Sequence, residues 1–99
     1  MSLNKAQLNC FKNELKKASD ELESKELTFK SEWTFDLPGQ SLEILGQELH
    51  HNYQIPIGWD GYGTHDLEEL EKLGFLKKFF ESEEDPIFLE KIIRYQIIG

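Results

Sequence analysis

The residues best suited to acid–base or metal chemistry in this chain are its three histidines and the carboxylates near them. His50 and His51 are adjacent, so on a helix their side chains would point about 100° apart and would not hold one metal ion together. A paired-histidine site on a helix needs a spacing of three or four residues. His65 lies near Asp60 and Asp66, which would suit a histidine–carboxylate pair for acid–base work. The sequence therefore predicts no metal site, and acid–base catalysis by His65 is an alternative function.

Glycines in residues 54–65 invite comparison with phosphate-binding loops. Gly58, Gly61 and Gly63 form G-x-x-G-x-G, which matches neither the dinucleotide-binding pattern nor the P-loop. No lysine lies between residues 31 and 71, and the carboxylates that follow the loop would repel a phosphate at a helix N-terminus. These acids also lack the alternating spacing of an EF-hand calcium loop. We expect no cofactor.

The same stretch fits a protein-binding surface better. Tryptophan and tyrosine are the commonest anchors of interfaces, and carboxylates around them pair with arginine or lysine of a partner. The alternative is that Trp59 folds into the core and the glycines only turn the chain. The predicted partner-binding residues are Trp59, Asp60, Tyr62, His65, Asp66, Glu68 and Glu69.

The charge balance indicates the same kind of partner. The chain has 99 residues with 19 acidic and 11 basic side chains, for a formal net charge of −8. Residues 26–65 carry six acids against one lysine, and residues 66–85 carry eight acids against three lysines, so each segment has a net charge of −5. Such a field disfavours nucleic acid and anionic membranes, and it raises association rates with a basic protein. Solubility is the alternative explanation.

Length, hydropathy and cysteine content indicate the class of protein. The 99 residues predict one domain over 1–99. No apolar run approaches the roughly 20 residues of a membrane span, and the polar N-terminus does not resemble a signal peptide. The single Cys10 excludes an internal disulfide and suits a reducing cytoplasm.

Apolar periodicity predicts a helix followed by a strand. Five apolar side chains recur every three or four residues, which predicts a helix over residues 4–24 with Ser2 or Asn4 as its cap. This apolar stripe consists of Leu8, Phe11, Leu15, Ala18 and Leu22. From 26 to 37 apolar and polar residues alternate, which predicts a half-buried strand. A hairpin with its tip at residues 30–32 is the other interpretation, and the pattern does not separate the two.

A second helix is expected after a Pro38-Gly39 turn. Ser41 is a plausible N-cap, and the leucines that follow have helical spacing, so the predicted helix covers residues 42–52. Gly46 would cost that helix about 1 kcal/mol relative to alanine.

The C-terminal third mixes helix and strand signals. Asp66 begins a short helix with capping-box-like spacing, and Gly74 ends it. Residues 75–80 fit a strand or a helix. Pro86 predicts a short helix that leads into a last strand over 92–98, although a helix there is the alternative. The expected fold is α+β, with an antiparallel or mixed sheet of three or four strands covered by helices.

This order of elements resembles barstar, the small acidic protein inhibitor of a bacterial ribonuclease. The matching segments are a strand at 26–36, a helix at 42–52, a loop at 55–63 and a helix at 66–70. The resemblance covers residues 26–99 and leaves the N-terminal helix as an addition.

The resemblance implies that a loop tyrosine and acids on the following helix plug a basic active site. By position, Tyr62 is similar to that tyrosine and Glu68 to the first helix acid. Lys72 stands where the family has its second, decisive acid, and the family's Asn and its Asp-Ala-Leu run are absent. These departures leave the specific target open.

Together these observations predict an immunity or inhibitor protein, not an enzyme, that neutralises a basic bacterial toxin or nuclease with an acidic, aromatic-containing surface. We expect a monomer or weak dimer without cofactor, metal, membrane or direct nucleic-acid contact. One alternative is a small enzyme that uses His65 with Asp60 or Asp66. The other is a homo-oligomeric structural or regulatory module whose apolar stripe packs against another copy.

Overall fold

A computed structural model describes residues 3–34, 37–55, 61–84, 86–87 and 89–98, without the side chains of residues 33, 34, 37 and 38. The chain begins with helix α1 and continues into three strands, a second helix α2 and two further strands. The elements are α1 Lys5–Leu22, β1 Glu26–Thr34, β2 Leu37–Ile44, β3 Gln47–Glu48, α2 Thr64–Lys72, β4 Leu76–Glu81 and β5 Lys91–Ile97. A single 3-10 turn, Leu49–His51, follows β3.

Helix α1 confirms the expected N-terminal helix and its cap. Asn4 accepts a hydrogen bond from the Gln7 backbone N–H at 2.8 Å, and the Gln7 side chain accepts one from the Asn4 N–H at 3.0 Å. This reciprocal pair satisfies two N–H groups that the first turn of a helix would otherwise leave open. The helix ends at Glu23, whose left-handed conformation has φ of 53°.

The strands form one antiparallel sheet in the order β3-β2-β1-β5-β4, and β1 lies at its centre. The expected α+β fold is confirmed, and the described residues form five strands rather than three or four. β1 is one continuous strand over Glu26–Thr34, so the strand is confirmed there and the hairpin with its tip at residues 30–32 is wrong. Residues 35–36 lie outside the described residues, and Leu37 belongs to β2 rather than to the predicted strand. Residues 76–81 are a strand as well.

All fully buried apolar residues of the strands point to one face of the sheet. Phe29 of β1 lies between Leu42 of β2 and Ile93 of β5, and all three are at most 3% exposed. Phe11 and Leu15 of α1 have no exposed surface. The helices therefore cover this face, and the alternate residues of each strand lie on the opposite face.

The predicted helix over 42–52 is wrong. Pro38 and Gly39 lie within β2, which is already antiparallel to β1, so the expected turn at these two residues is wrong. The predicted helix is interrupted by a further reversal at Leu45 and Gly46, whose φ values are 53° and 77°. Two consecutive residues with positive φ form the type I′ turn that joins hairpin strands of right-handed twist. The spacing of leucines 42, 45 and 49 imitates a helix because a two-residue turn interrupts the alternation of the strands.

The predicted short helix after Pro86 is also wrong in the part of the chain that the structure describes. Residues 86–87 form a turn, residues 89–90 have no regular structure, and Leu89 has a φ of 54°. The last strand is confirmed and begins at Lys91. Asp85 and Phe88, which belong to the same predicted helix, lie outside the described residues. None of the described helices combines the length and apolar content that crossing a membrane requires.

The turn at Leu45 offers a direct test of this hairpin. Leu45 is 67% exposed and adopts a conformation that leucine disfavours by about 1–2 kcal/mol, whereas asparagine tolerates it. We expect Leu45→Asn to raise the free energy of unfolding by about 0.5–1 kcal/mol in urea denaturation. The neighbouring Gly46→Ala should lower it by about 1 kcal/mol. A helix over 42–52 would reverse the sign for the glycine variant.

Candidate functional site

Tyr62, expected on an exposed loop, lies in the core, and this corrects its predicted exposure. Its residue surface is 2% exposed. Its ring stacks on Phe11 with ring centroids 5.1 Å apart, and it meets the edge of Phe29 at 6.2 Å. The Gln40 side-chain amide of β2 donates to the Tyr62 carbonyl oxygen at 2.6 Å. Tyr62 therefore joins α1, the sheet and the start of α2.

The phenol of Tyr62 ends a hydrogen-bonded chain that starts at the protein surface. Its Oη lies 3.3 Å from Nε2 of His50, and Nδ1 of His50 lies 3.2 Å from Oε1 of Glu48. The imidazole also stacks on the phenol ring, with centroids 5.8 Å apart. Burial raises the pKa of Tyr62, and the negative charge of Glu48 raises it further.

This carboxylate–imidazole–phenol chain has the components of a proton relay but not the access. The His50 side chain is 6% exposed, whereas that of Glu48 is 47% exposed. A substrate would reach only the carboxylate end, because Tyr62 is enclosed by aromatic rings. These hydrogen bonds therefore orient the imidazole of His50 and give the buried hydroxyl of Tyr62 a partner. The sequence pattern did not indicate this contact, since residues 48, 50 and 62 lie on different elements.

Asp66 is also buried, at 2% exposure, and it holds two backbone segments. Its Oδ1 accepts the N–H of Leu3, and its Oδ2 accepts the N–H of Gly63, each at 2.8 Å. Asp66 is thus the third helical residue of α2, which begins after Gly63 rather than at Asp66 itself. Both carboxylate oxygens are occupied, so the expected acid–base pair of His65 with Asp66 is not formed in this structure.

The other predicted partner-binding residues are divided between the surface of α2 and the part of the chain outside the described residues. His65 and Glu68 are exposed on α2, and Glu69 is partly exposed. Trp59 and Asp60 lie outside the described residues. The structure therefore brings three of the seven predicted residues, all on one short helix, to the surface.

The other acid of this helix, Glu71, joins α2 to β4. Oε2 of Glu71 accepts the N–H of Lys78 at 3.0 Å. Tyr95 of β5 lies nearby, where burial, together with the smaller effects of the Glu71 and Glu68 charges, raises its pKa to about 12. On β4 itself, Glu81 receives hydrogen bonds from the ammonium groups of Lys78 and Lys91, which lower its pKa to about 2.

Two exposed phenylalanines form a surface that the sequence pattern missed. The register of β4 against β5 shifts between Lys78 and Phe80, which is a β-bulge. As a result Phe79 and Phe80 remain 51% and 46% exposed, and the Arg94 guanidinium lies over the Phe80 ring at 5.5 Å. The Phe-Phe pair was visible in the sequence, but its orientation depends on the bulge.

Within the described ranges, no group of three or more metal-ligating side chains comes together. The homo-oligomer alternative loses support from the burial of α1. The apolar stripe of α1 is enclosed in the protein's own core, because Phe11, Leu15 and Ala18 have no exposed surface. That stripe is consequently not available to a second copy, as the oligomer alternative required.

The double acceptance by Asp66 predicts a large stability effect. Asp66→Asn places an amide N–H group against one of the two backbone N–H donors, so one bond is lost and a buried donor is left without an acceptor. We expect the free energy of unfolding to fall by about 2–3 kcal/mol in urea denaturation. The matched variant Glu68→Gln, on the exposed side of the same helix, should change it by less than about 0.5 kcal/mol. Equal effects of the two variants would contradict the stabilising role of the two hydrogen bonds that Asp66 accepts.

The buried phenols predict weaker folding in alkali. The pKa of Tyr95 is raised from 10.0 to about 12, so the folded state holds the phenolic proton more tightly than the unfolded state. The folding stability that results is fully present below pH 10 and is lost as the pH rises through about 12. We expect wild-type stability to fall by about 1–2 kcal/mol more than that of Tyr95→Phe between pH 10 and pH 12. Urea denaturation at pH 8, 10 and 12 measures this difference. Parallel pH profiles for both proteins would contradict it.

Comparisons with known proteins leave the function to be argued from these residues. The chain matches no protein-family model, and comparison with curated proteins and with solved structures also finds no match. The geometry of the described residues therefore carries the functional argument.

Proposed function

We propose that this chain is a cytoplasmic protein-binding immunity or inhibitor protein that neutralises a basic bacterial toxin or nuclease. In this proposal, an acidic surface covers the cationic active site that such an enzyme needs for its nucleic-acid substrate. The proposed contact residues are His65, Glu68 and Glu69 of α2, together with Trp59 and Asp60, which precede this helix in the sequence. Tyr62 and Asp66 hold that helix in place from the core.

The proposal rests on one observation, which is that most acidic side chains of the described residues form no ion pair with a lysine. Within the described ranges, only Glu43 and Glu81 form ion pairs with a lysine. Glu68 and Glu69 lie on a helix that is fixed at its start by Asp66 and along its length by Glu71. Carboxylates on a positioned helix lose little conformational entropy on binding, and their field speeds encounter with a cationic partner.

The resemblance to barstar contributes less than the charge distribution. Residues 42–52, which the resemblance matched to a helix, contain the β2–β3 hairpin instead, so one of the matching elements is missing. The helix at 66–70 is present within α2 and carries Glu68 on its exposed side. The proposal therefore concerns the general class of acidic inhibitors and leaves the specific toxin to experiment.

A charge-neutralising pair of variants tests the proposal. The binding probes are the purified bacterial ribonuclease that barstar inhibits and the purified product of the reading frame adjacent to this gene. We expect Glu68→Gln/Glu69→Gln to weaken binding about tenfold at 50 mM NaCl to whichever of the two probes the wild-type protein binds. The loss should be smaller at 300 mM NaCl, because salt screens exposed charges. Isothermal titration calorimetry measures both affinities.

The control variant Glu14→Gln/Asp20→Asn removes the same charge from α1 and should leave the affinity within about twofold. Inhibition of the probe's nuclease activity must follow the same order. Failure of the wild-type protein to bind or inhibit either probe would overturn the proposal, as would equal losses in the α2 and α1 variants.

A further inference from the structure

The face of the sheet opposite the helices is the part of this molecule that its own described elements leave uncovered. β1 places Thr28 and Lys30 there, beside Glu43 of β2 and Arg94 of β5. The alternation of each strand fixes this side, since the intervening residues lie in the core. None of the described helices packs on it. A polar sheet face needs no cover, so its composition decides what it can bind.

The bulge in β4 adds an apolar area to one end of this polar face. Without the extra residue, Phe79 and Phe80 would point to opposite sides of the sheet. Phe80 instead faces Arg94, and Phe79 borders a shallow groove with Glu26 and Gln96 on the same side. Two half-exposed aromatic rings next to each other are typical of a contact surface rather than of a solvent-facing strand.

The other end of the face contains a cleft of about 430 Å³ between the ends of β1, β2 and β5. Its lining includes Lys30, Glu32, Gly39 and Glu90. Lys30 is drawn to Glu43 at 2.9 Å, whereas Glu32 and Glu90 make no ion pair among the described residues. With Glu43 included, these side chains have a net charge of −2, and Gly39 leaves the space beside Glu32 open.

We infer that this open sheet face is the docking surface for an extended, arginine-containing segment of the basic partner, whose guanidinium enters the cleft at Glu32 and Glu90. A guanidinium pairs with carboxylates through several charge-assisted hydrogen bonds, which the cleft offers from two sides. An apolar side chain of the same segment lies against Phe79 and Phe80. The complementary charge of the cleft selects an arginine-bearing occupant over an acidic or neutral one.

The spacing of the two areas sets the length of the segment. β5 runs from Ile92 at the cleft to Gln96 beside Phe79, a distance of four residues or about 13 Å. An extended peptide covers this distance in about four residues. The bound segment therefore carries its arginine and its apolar side chain about four residues apart.

This inference rests on the proposed function for the basic character of the partner, but it uses the opposite face from α2. The two sites are separable by mutation, since Glu32 and Glu90 are on the uncovered side of the sheet and Glu68 is on the helix. A peptide probe also tests the sheet face without any toxin.

The probe is the peptide acetyl-Leu-Gly-Ser-Gly-Arg-amide, titrated into ¹⁵N-labelled full-length protein at 20 mM NaCl. We expect saturable shifts of the backbone amides of Ser31, Gly39 and Ser41. The same peptide with citrulline in place of arginine should bind at least tenfold more weakly, because citrulline keeps the shape without the charge. Glu32→Gln/Glu90→Gln should weaken the arginine peptide at least tenfold.

Two further variants separate the cleft from general acidity. Gly39→Ala places a methyl group 3.7 Å from Cγ of Glu32, an ordinary contact distance that preserves the strand but narrows the cleft. This variant should therefore weaken binding of the arginine peptide about threefold or more. Glu14→Gln/Asp20→Asn, with the same charge loss on α1, should leave binding within twofold. Equal weakening by the cleft and α1 variants, equal binding of the citrulline peptide, or shifts confined to α2 would overturn the inference.

The toxin experiment distinguishes this inference from the proposed function. If Glu68→Gln/Glu69→Gln weakens nuclease binding while Glu32→Gln/Glu90→Gln leaves both the nuclease and the peptide affinities unchanged, the inhibitor proposal stands and the sheet-face site is overturned. If the arginine peptide binds as expected and no basic nuclease is bound, the sheet-face site stands and the inhibitor proposal fails.

Discussion

The central strand β1 buries side chains on one face only, and the rest of the structure depends on this constraint. Its neighbours β2 and β5 continue the same apolar face, so both helices must lie on that side to exclude water. The burial of Tyr62 follows from this arrangement, since its ring fills the space between Phe11 of α1 and Phe29 of β1. The same constraint leaves the opposite face polar and open.

Buried polar groups in this core act as joints between elements. Asp66 joins the chain before α1 to the start of α2, and Glu48 with His50 completes the hydrogen bonds of a phenol in the core. The Leu3–Asp66 and His50–Tyr62 contacts join segments that are distant in the chain, whereas the Gly63–Asp66 and Glu48–His50 contacts are local. Among the described residues, no buried side-chain nitrogen or oxygen lacks a partner. The residues that resembled active-site components thus position the helix on which the exposed acids lie.

Sequence patterns predicted the elements whose signal is local. The stripe of α1 and the alternation of β1 were recognised because their periods persist for several turns or residue pairs. Asn4 was one of two candidate caps, since residue type alone did not separate it from Ser2. The helix predicted over 42–52 failed because a turn at Leu45, a residue that disfavours positive φ, carries no local signal beyond Gly46. For the candidate site, Glu68 is exposed and Glu69 is partly exposed, as expected, but Tyr62 and Asp66, which were also expected at the surface, are buried.

The sequence by itself determined the α+β class, the first helix, the central strand and the acidic balance of this protein, since these depend on composition and short-range periodicity. Only the tertiary structure decided which aromatic and acidic side chains face water. The reason is that exposure depends on partners distant in sequence: Asp66 is occupied by Leu3, and Tyr62 is enclosed by Phe11 and Phe29. A single inserted residue in β4 likewise brought two phenylalanines to one side of the sheet, which no count of residue types reveals.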